Sequence, residues 1–499
     1  MQLQFSKKTV RCLDNPVREV KNAEITQELR LSDGMPDIGR ILMSWGQVIL
    51  RSKQWQAHEI ALSGGVKVWA LYLPEDGTQP RMTEGWLPFQ LKWDVRNEER
   101  EGPVRMMPLL RYVDSRGISS RKMMLRAGVA VLAQGFCTME KEVYVPEELP
   151  EDVQCLRKTY PVQLPAEVGE KTFLLDEDLE LTEYGVVAEK LISYTVHPEI
   201  AEKRILSDKI AFKGNANLHL VFRNEEGKID NKTVDLPFSQ LIDLDAAYSQ
   251  DARADIRFGV TDLEADIPAK GQLRIKCGLV SQYLICDRQI LEVVDDAYSP
   301  HRRVDPEMTN LYLPVVLEEK EEIIHTEQIL TGQGGAVADA RFYPEYPSMI
   351  RNPEGTQLQM TGLYQLLCYG EDGALQSASA RWNKDYQIPM DSSCHVVAMV
   401  EDGKQMQIHT DVDGLSVSNP VVLQLSTGTD QGIPMMISLE ADSLQELDTD
   451  RPSLILRRAG QDTLWEIAKQ SGSTVDAIRV ANQLAEEPVA DQMLLIPVS

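Results

Sequence analysis

The chain is poor in the residues that build chemistry. Its seven histidines, His58, His197, His219, His301, His325, His395 and His409, are dispersed, with no HExxH and no i, i+4 pair. Zinc chemistry of the metalloprotease type therefore has no ligand set. Seven cysteines (Cys12, Cys137, Cys155, Cys277, Cys286, Cys368 and Cys394) are scattered, odd in number and without a CxxC pair. That pattern excludes a zinc ribbon or a small disulfide scaffold and fits reduced, buried thiols in a cytosol. GxSxG and P-loop motifs are absent. The glycine-rich Gly332-Gln333-Gly334-Gly335 lacks the lysine and the following helix that phosphate binding needs. No apolar run approaches the ~20 residues of a membrane span, and the first ten residues carry no apolar signal region. Basic residues are also in deficit, 51 against 77 acidic, for a formal net charge of −26. Nucleic acid and anionic membranes call for a basic footprint, so both are excluded as general partners. The expectation is a soluble, intracellular, non-enzymatic protein with no catalytic residue, metal or cofactor.

What is present is ordinary globular composition, 43 % hydrophobic and 26 % charged. A chain of 499 residues implies three or four domains. An internal repeat supports that count. HEIALSGGVKVWALYLPEDG, DKIAFKGNANLHLVFRNEEG and TQLQMTGLYQLLCYGEDG each hold a strand, a glycine (Gly64, Gly214, Gly362), an alternating apolar strand and an acidic-glycine turn. The glycines lie 150 and 148 residues apart. Ile41 and Leu191 open matching segments before them, and Leu87-Pro88-Phe89 matches Leu236-Pro237-Phe238 after the turn, with Ile388-Pro389-Met390 as the third counterpart. Gly128 and Gly278 also correspond, with Val421–Leu425 as the third. An acidic amphipathic strand precedes each copy, from Ile25, Phe173 and Ile323.

A period of ~150 residues is a whole domain rather than a solenoid unit. Alternating strands with glycine turns predict a mainly β fold of three tandem, antiparallel, sandwich-like domains. Their expected bounds are 1–160, 161–315 and 316–445, with Pro- or acid-rich linkers near 146–165, 300–314 and 442–452. Short helices are expected in stretches such as 238–250. Trp45, Trp55, Trp69, Trp86 and Trp93 crowd the first copy, as core or as an aromatic docking surface. Asp176, Glu177, Asp178 and Glu180 read as a solvated strand edge, with a calcium site as the alternative. Adjacent Cys394 and His395 on a strand would face opposite sides.

Residues 452–499 read differently. A strand from Leu454 to Arg458 leads to a turn at Gly460, and Asp462 or Thr463 can cap the next helix. Leu464, Ile467 and Ala468 share one helical face, and Gly472 is placed to end it. Thr474 and Asp476 start a second helix carrying Val475 and Ile478, and a strand from Met493 to Ile496 stops at Pro497. The order is βααβ.

These residues resemble the LysM family, whose pattern is met by Asp462, Thr463, Leu464, Trp465, Ile467, Ala468, Gly472, Thr474, Val475, Ile478, Asn482, Leu484, Leu494, Ile496 and Pro497. The resemblance implies a shallow N-acetylglucosamine groove, formed here by Gly460, Gln461, Asp462, Thr463 and Leu464 facing Pro488, Val489, Ala490, Asp491 and Gln492, with Asn482 nearby. Gln461 and Asp491-Gln492 stand where the family has glycines, which weakens the case for sugar. The repeats in turn resemble the SPOCS domain of endospore-forming Firmicutes. Tandem SPOCS domains followed by LysM are similar to the SipL family of spore coat morphogenetic proteins. That resemblance implies an adapter in the mother-cell cytoplasm, at the forespore surface, whose LysM domain binds the coat ATPase SpoIVA. A peptidoglycan-binding protein reading N-acetylglucosamine is the alternative.

Overall fold

Strands of unusual length set the architecture. The computed structural model describes residues 5–77, 79–95, 101–147, 150–331, 335–352, 355–388, 394–403, 406–411, 414–430, 432–443, 452–488 and 491–498. The first repeat begins with β1 (Phe5–Arg30), continues through β2 (Ile38–Gln56), β3 (Glu59–Pro74), β4 (Arg81–Asp94) and β5 (Val104–Ser119), and ends with β6 (Lys122–Pro146). β1 pairs with β6 and β6 with β5, while β2, β3 and β4 form a second antiparallel sheet. The two sheets face each other across one apolar core that includes Val17, Val66, Leu87, Met106 and Val129. This is a small sandwich whose inner residues alternate with polar outer ones.

The same order recurs. In the second repeat β7 (Gln154–Glu180), β8 (Ala188–Ile205), β9 (Lys209–Asn224), β10 (Ile229–Asp243), β11 (Arg253–Asp266) and β12 (Gln272–Tyr298) form sheets ordered β7-β12-β11 and β8-β9-β10. In the third, β13 (Val304–Leu311) precedes β14 (Val315–Thr331), β15 (Val337–Pro344), β16 (Ser348–Asn352), β17 (Gly355–Tyr369), β18 (Leu375–Ile388), β19 (Cys394–Asp402), β20 (Gln407–Asp411), β21 (Gly414–Thr429) and β22 (Ile433–Ala441). There β14-β21-β19 forms one sheet, and β17 lies between β18 and β15–β16 in the other. Stretch 238–250 holds no helix: β10 runs through it to Asp243, and the rest is turn and bend.

The recurring glycine sits at the same place in the central strand each time. A Cβ on Gly64 would lie 2.5 Å from Ile49 O and 3.0 Å from the Phe89 ring; on Gly214, 1.8 Å from Glu199 O and 3.0 Å from the Phe238 ring. The glycine is kept because backbone and an aromatic ring close over it. In the third repeat the residue opposite Gly362 is Trp382, so Ile388-Pro389-Met390 is not the structural counterpart of Leu87-Pro88-Phe89. Phe342 covers Gly362 instead, 2.4 Å from where its Cβ would be. Pro389 and Met390 lie outside the described residues.

The first two segments expected as linkers, 146–165 and 300–314, are largely strand, and most of the third, 444–451, lies outside the described residues. β1 and β6 continue past the first sandwich, across a bulge between Asp14 and Val17, to pair down to Phe5 with Pro146. β7 and β12 do the same beyond bulges at Ile285/Cys286 and Val294/Asp296, ending at Gln154 with Tyr298. β13 pairs with β22. Bulges bend the strands and let each leave its own sandwich. The three two-stranded ribbons meet around a shared core of Val10, Cys12, Val143, Val162, Leu164, Leu291, Val293, Leu311, Ile433 and Met435. We call this the hub.

The sandwiches also meet directly. One buried core joins Trp45 and Trp69 of the first repeat to Tyr194 and Leu220 of the second and Leu367 of the third. At its edge Asp339, fully buried, accepts from Trp45 Nε1 at 2.6 Å and Arg341 Nε at 3.0 Å and is bonded to His219 Nε2 at 2.8 Å. Arg341 Nη1 also donates to Thr195 at 2.9 Å. A second junction runs from Arg105 to Asp255 at 2.6 Å, Asp255 to Arg257 at 2.9 Å and Arg257 to Glu401 at 3.4 Å. Both junctions use side chains from all three repeats. Four of the five clustered tryptophans are core; Trp86 is at the surface, 36 % exposed, with Arg51 over its ring. The acidic run of β7 lies on an edge strand, where Asp176 pairs with Lys276 and Asp178 with Arg274. Among the described residues no group of three or more His, Cys, Asp or Glu is placed to hold a metal ion. Among the same residues no helix is long and apolar enough to cross a membrane.

Candidate functional site

The C-terminal module is built from β23 (Leu454–Arg458), α1 (Leu464–Ser471), α2 (Val475–Asn482) and β24 (Met493–Pro497), with β23 antiparallel to β24. The apolar residues that share one helical face explain its core: Leu464, Ile467, Ala468, Ile478, Leu494 and Ile496 are fully buried. Thr463 is the cap of α1. Its hydroxyl accepts from Glu466 N, and the Glu466 carboxylate accepts from Thr463 N at 2.8 Å, a complete capping box. The Thr463 backbone N–H, and then its hydroxyl, lower the Glu466 pKa. Gly472 ends α1 at φ 62°, and Thr474 caps α2.

Of the two capping candidates, then, Asp462 is not the cap. It pairs with Arg457 Nη2 at 2.5 Å, tying the loop to β23. Asn482 turns to β24: its amide donates to Leu495 O at 2.6 Å and accepts from Leu495 N at 2.7 Å. Leu464 is core. Gly460, Gln461 and Thr463 are exposed in the first loop, and Pro488, Asp491 and Gln492 lie in the second. Val489 and Ala490 lie outside the described residues.

The structure brings the two loops together through backbone. Ala459 N donates to Gln492 O at 2.7 Å and Asp491 N to Ala459 O at 2.8 Å. Asp491 has φ 68°, the left-handed conformation that a glycine would adopt without strain. Sequence reasoning missed Glu487. Its carboxylate accepts from Leu464 N at 2.7 Å, one of the free N–H groups at the start of α1. No spacing rule links residues 23 apart, so nothing in the sequence marks this contact. The mouth between the loops therefore carries Asp462, Glu487 and Asp491, with Arg457 paired to Asp462 and Arg458 3.8 Å from Asp491.

A second missed feature is the module's seat. Trp465 packs edge-on against Tyr298, the last residue of β12, with ring centroids 4.8 Å apart. Its Nε1 donates to Asp296 Oδ2 at 2.8 Å, and Lys469 Nζ lies 2.7 Å from both Asp296 oxygens. Burial pushes the Tyr298 phenol up to about 12. The helix α1 thus faces the body with Trp465 and Lys469, while Gly460, Gln461 and Asp491 stay exposed.

Two family models match the chain. Residues 188–268 match the SPOCS domain of SipL, and residues 461–497 match the LysM domain. The SPOCS match spans β8 to the end of β11, the part of the second repeat that lies between its two longest strands. No curated protein and no solved structure matches. Both matched domain types are non-catalytic, and no catalytic family is found. By these matches the chain carries a SipL-type SPOCS domain and, at its C-terminus, a LysM domain.

Proposed function

We propose that this protein is a non-enzymatic adapter in endospore coat assembly, working at the forespore surface from the mother-cell cytoplasm. In this reading the LysM domain binds the coat-morphogenetic ATPase SpoIVA, and the three repeats with their hub form the body that carries it. The observation that carries the reading is the joint presence of a SPOCS and a LysM match in one chain. The chemistry of the module's mouth favours protein over sugar. A LysM groove reads glycan with backbone groups that small residues leave accessible; here Glu487 already holds an α1 N–H and Asp491 stands in the place of a glycine.

The test uses the full-length chain against purified SpoIVA and against chitin oligomers. Capture of the ATPase, and none of chitin oligomers, is the expected result. Glycan binding without ATPase capture would replace this reading with a peptidoglycan-binding one.

A further inference from the structure

Among the described residues the Arg18 Nε has no hydrogen-bond acceptor. The side chain leaves β1 just past the bulge between Asp14 and Val17, and its Nε is out of contact with solvent. A buried N–H without a partner costs free energy, and the half-buried remainder of the guanidinium keeps its attraction for an acceptor. Asp14 and Asp430 act on it only through space. The side chain lines a cleft of about 400 Å³ between the first repeat and the third.

The third repeat supplies the opposite wall. Arg351, from β16, and His395, from β19, both line the cleft. The His395 ring lies against Gly428, where a Cβ would sit 2.3 Å from Nε2, so the glycine leaves the room that the ring occupies. Burial and the nearby Arg18 lower the His395 pKa, which favours its uncharged form. Asp430 stands 3.8 Å from its Nδ1 and is 74 % exposed, at the rim. Pro16, Pro314 and Met349 add apolar wall. Two arginines face two aspartates across the cleft, so a single carboxylate adds one net negative charge where a dianion would add two, at the smaller electrostatic penalty. A planar carboxylate also matches the guanidinium fork.

We propose that this cleft binds a carboxylate carried beside an apolar group, as at the C-terminus of a peptide ending in an apolar residue. Arg18 takes the carboxylate, Arg351 and His395 orient it, and the proline and methionine wall takes the side chain. The site belongs to the body and is independent of the LysM module.

The test is isothermal titration of the full-length chain with four probes: N-acetyl-leucine, its uncharged amide, acetate and inorganic phosphate. N-acetyl-leucine should bind, with each other probe at least about tenfold weaker, as loss of a charge-assisted bond or of the apolar contact requires. Arg18→Gln should reduce N-acetyl-leucine binding about tenfold without lowering the melting temperature, because among the described residues the Arg18 side chain makes no hydrogen bond to the fold. Arg351→Gln, on an exposed hairpin, should weaken binding with the fold intact and serves if the first variant fails to fold. Equal binding of the amide, tighter binding of phosphate, acetate matching N-acetyl-leucine, unchanged binding by both variants, or no response to N-acetyl-leucine would each overturn the proposal.

Discussion

The body and the C-terminal module are held together in opposite ways. In the body the stabilising contacts are long-range: Trp45, His219 and Asp339 meet from three repeats, and Val10 shares a core with Met435. In the module they are mostly local, a core drawn from residues 455–496 with only Tyr298 and Val304 of the body packed into it, and caps three residues long. One corner joins the two, Asp296 and Tyr298 against Trp465 and Lys469. Damage to the body should therefore spread, and damage to the module should stay where it is made.

The largest break is expected at the three-repeat junction. Asp339→Ala leaves Arg341, His219 and Trp45 facing each other without their acceptor. Losing one partner of a buried pair costs about 3–5 kcal/mol, and denaturant unfolding should show the whole body falling together rather than one repeat. The same junction sets a pH dependence. Burial pushes the Asp339 carboxyl up, but Arg341 and His219 outweigh it and hold it at about 2. Its stability is present above the unfolded value of ~3.9 and is lost as pH falls toward 2. Burial and Arg341 lower the His219 pKa, so its share is present above ~6.5 and is lost as pH falls below that. Stability should decline in two stages on acidification, with the first stage missing in His219→Gln.

Trp465→Ala is the next break. It removes the Tyr298 contact and the bond to Asp296, and aromatic anchors of this kind are worth about 2 kcal/mol at interfaces. Small-angle scattering should show the chain extending, while the body's unfolding midpoint stays unchanged; a shift of that midpoint would mean the module is part of the body's cooperative unit. The smallest effect is local. Thr463→Ala removes the α1 cap and should destabilise the module alone by about 1 kcal/mol. Asp462→Ala should leave the helix signal in circular dichroism intact, because Asp462 bonds Arg457 and not the helix.

The difference between the regions also decides what the sequence shows. Every element of the module was legible, since helix caps, an i, i+3, i+4 face and a glycine stop are all encoded within a few residues. The recurrence of Gly64, Gly214 and Gly362 was legible too, because the steric demand is the same in each copy. The third copy's aromatic partner was not: Phe342 covers Gly362, and Trp382 stands opposite it where a Pro-containing segment was expected, since register follows pairing and not motif resemblance. The hub stayed hidden for the same reason. Pro146 pairs with Phe5, and Tyr298 with Gln154, contacts that span more than a hundred residues and look like Pro-rich linkers when read locally. Glu487 and Asp296 carry no spacing signal at all.

The hub has a consequence in time. Its third ribbon is closed by β22, so Val10 and Val143 cannot find Ile433 and Met435 until synthesis has passed Ala441. Individual sandwiches can form as they emerge, but the first ribbon must wait with an apolar face uncovered, the situation in which long-range β pairing is slow and exposed to misassembly. Charged cross-strand pairs on that ribbon, Lys7 with Glu142 and Arg11 with Glu140, keep its other face soluble during the wait. A ribosome stalled late in the message would release a chain with folded sandwiches and an open centre, and protease sensitivity of residues 5–14 and 137–146 should end only when synthesis passes the last ribbon strand.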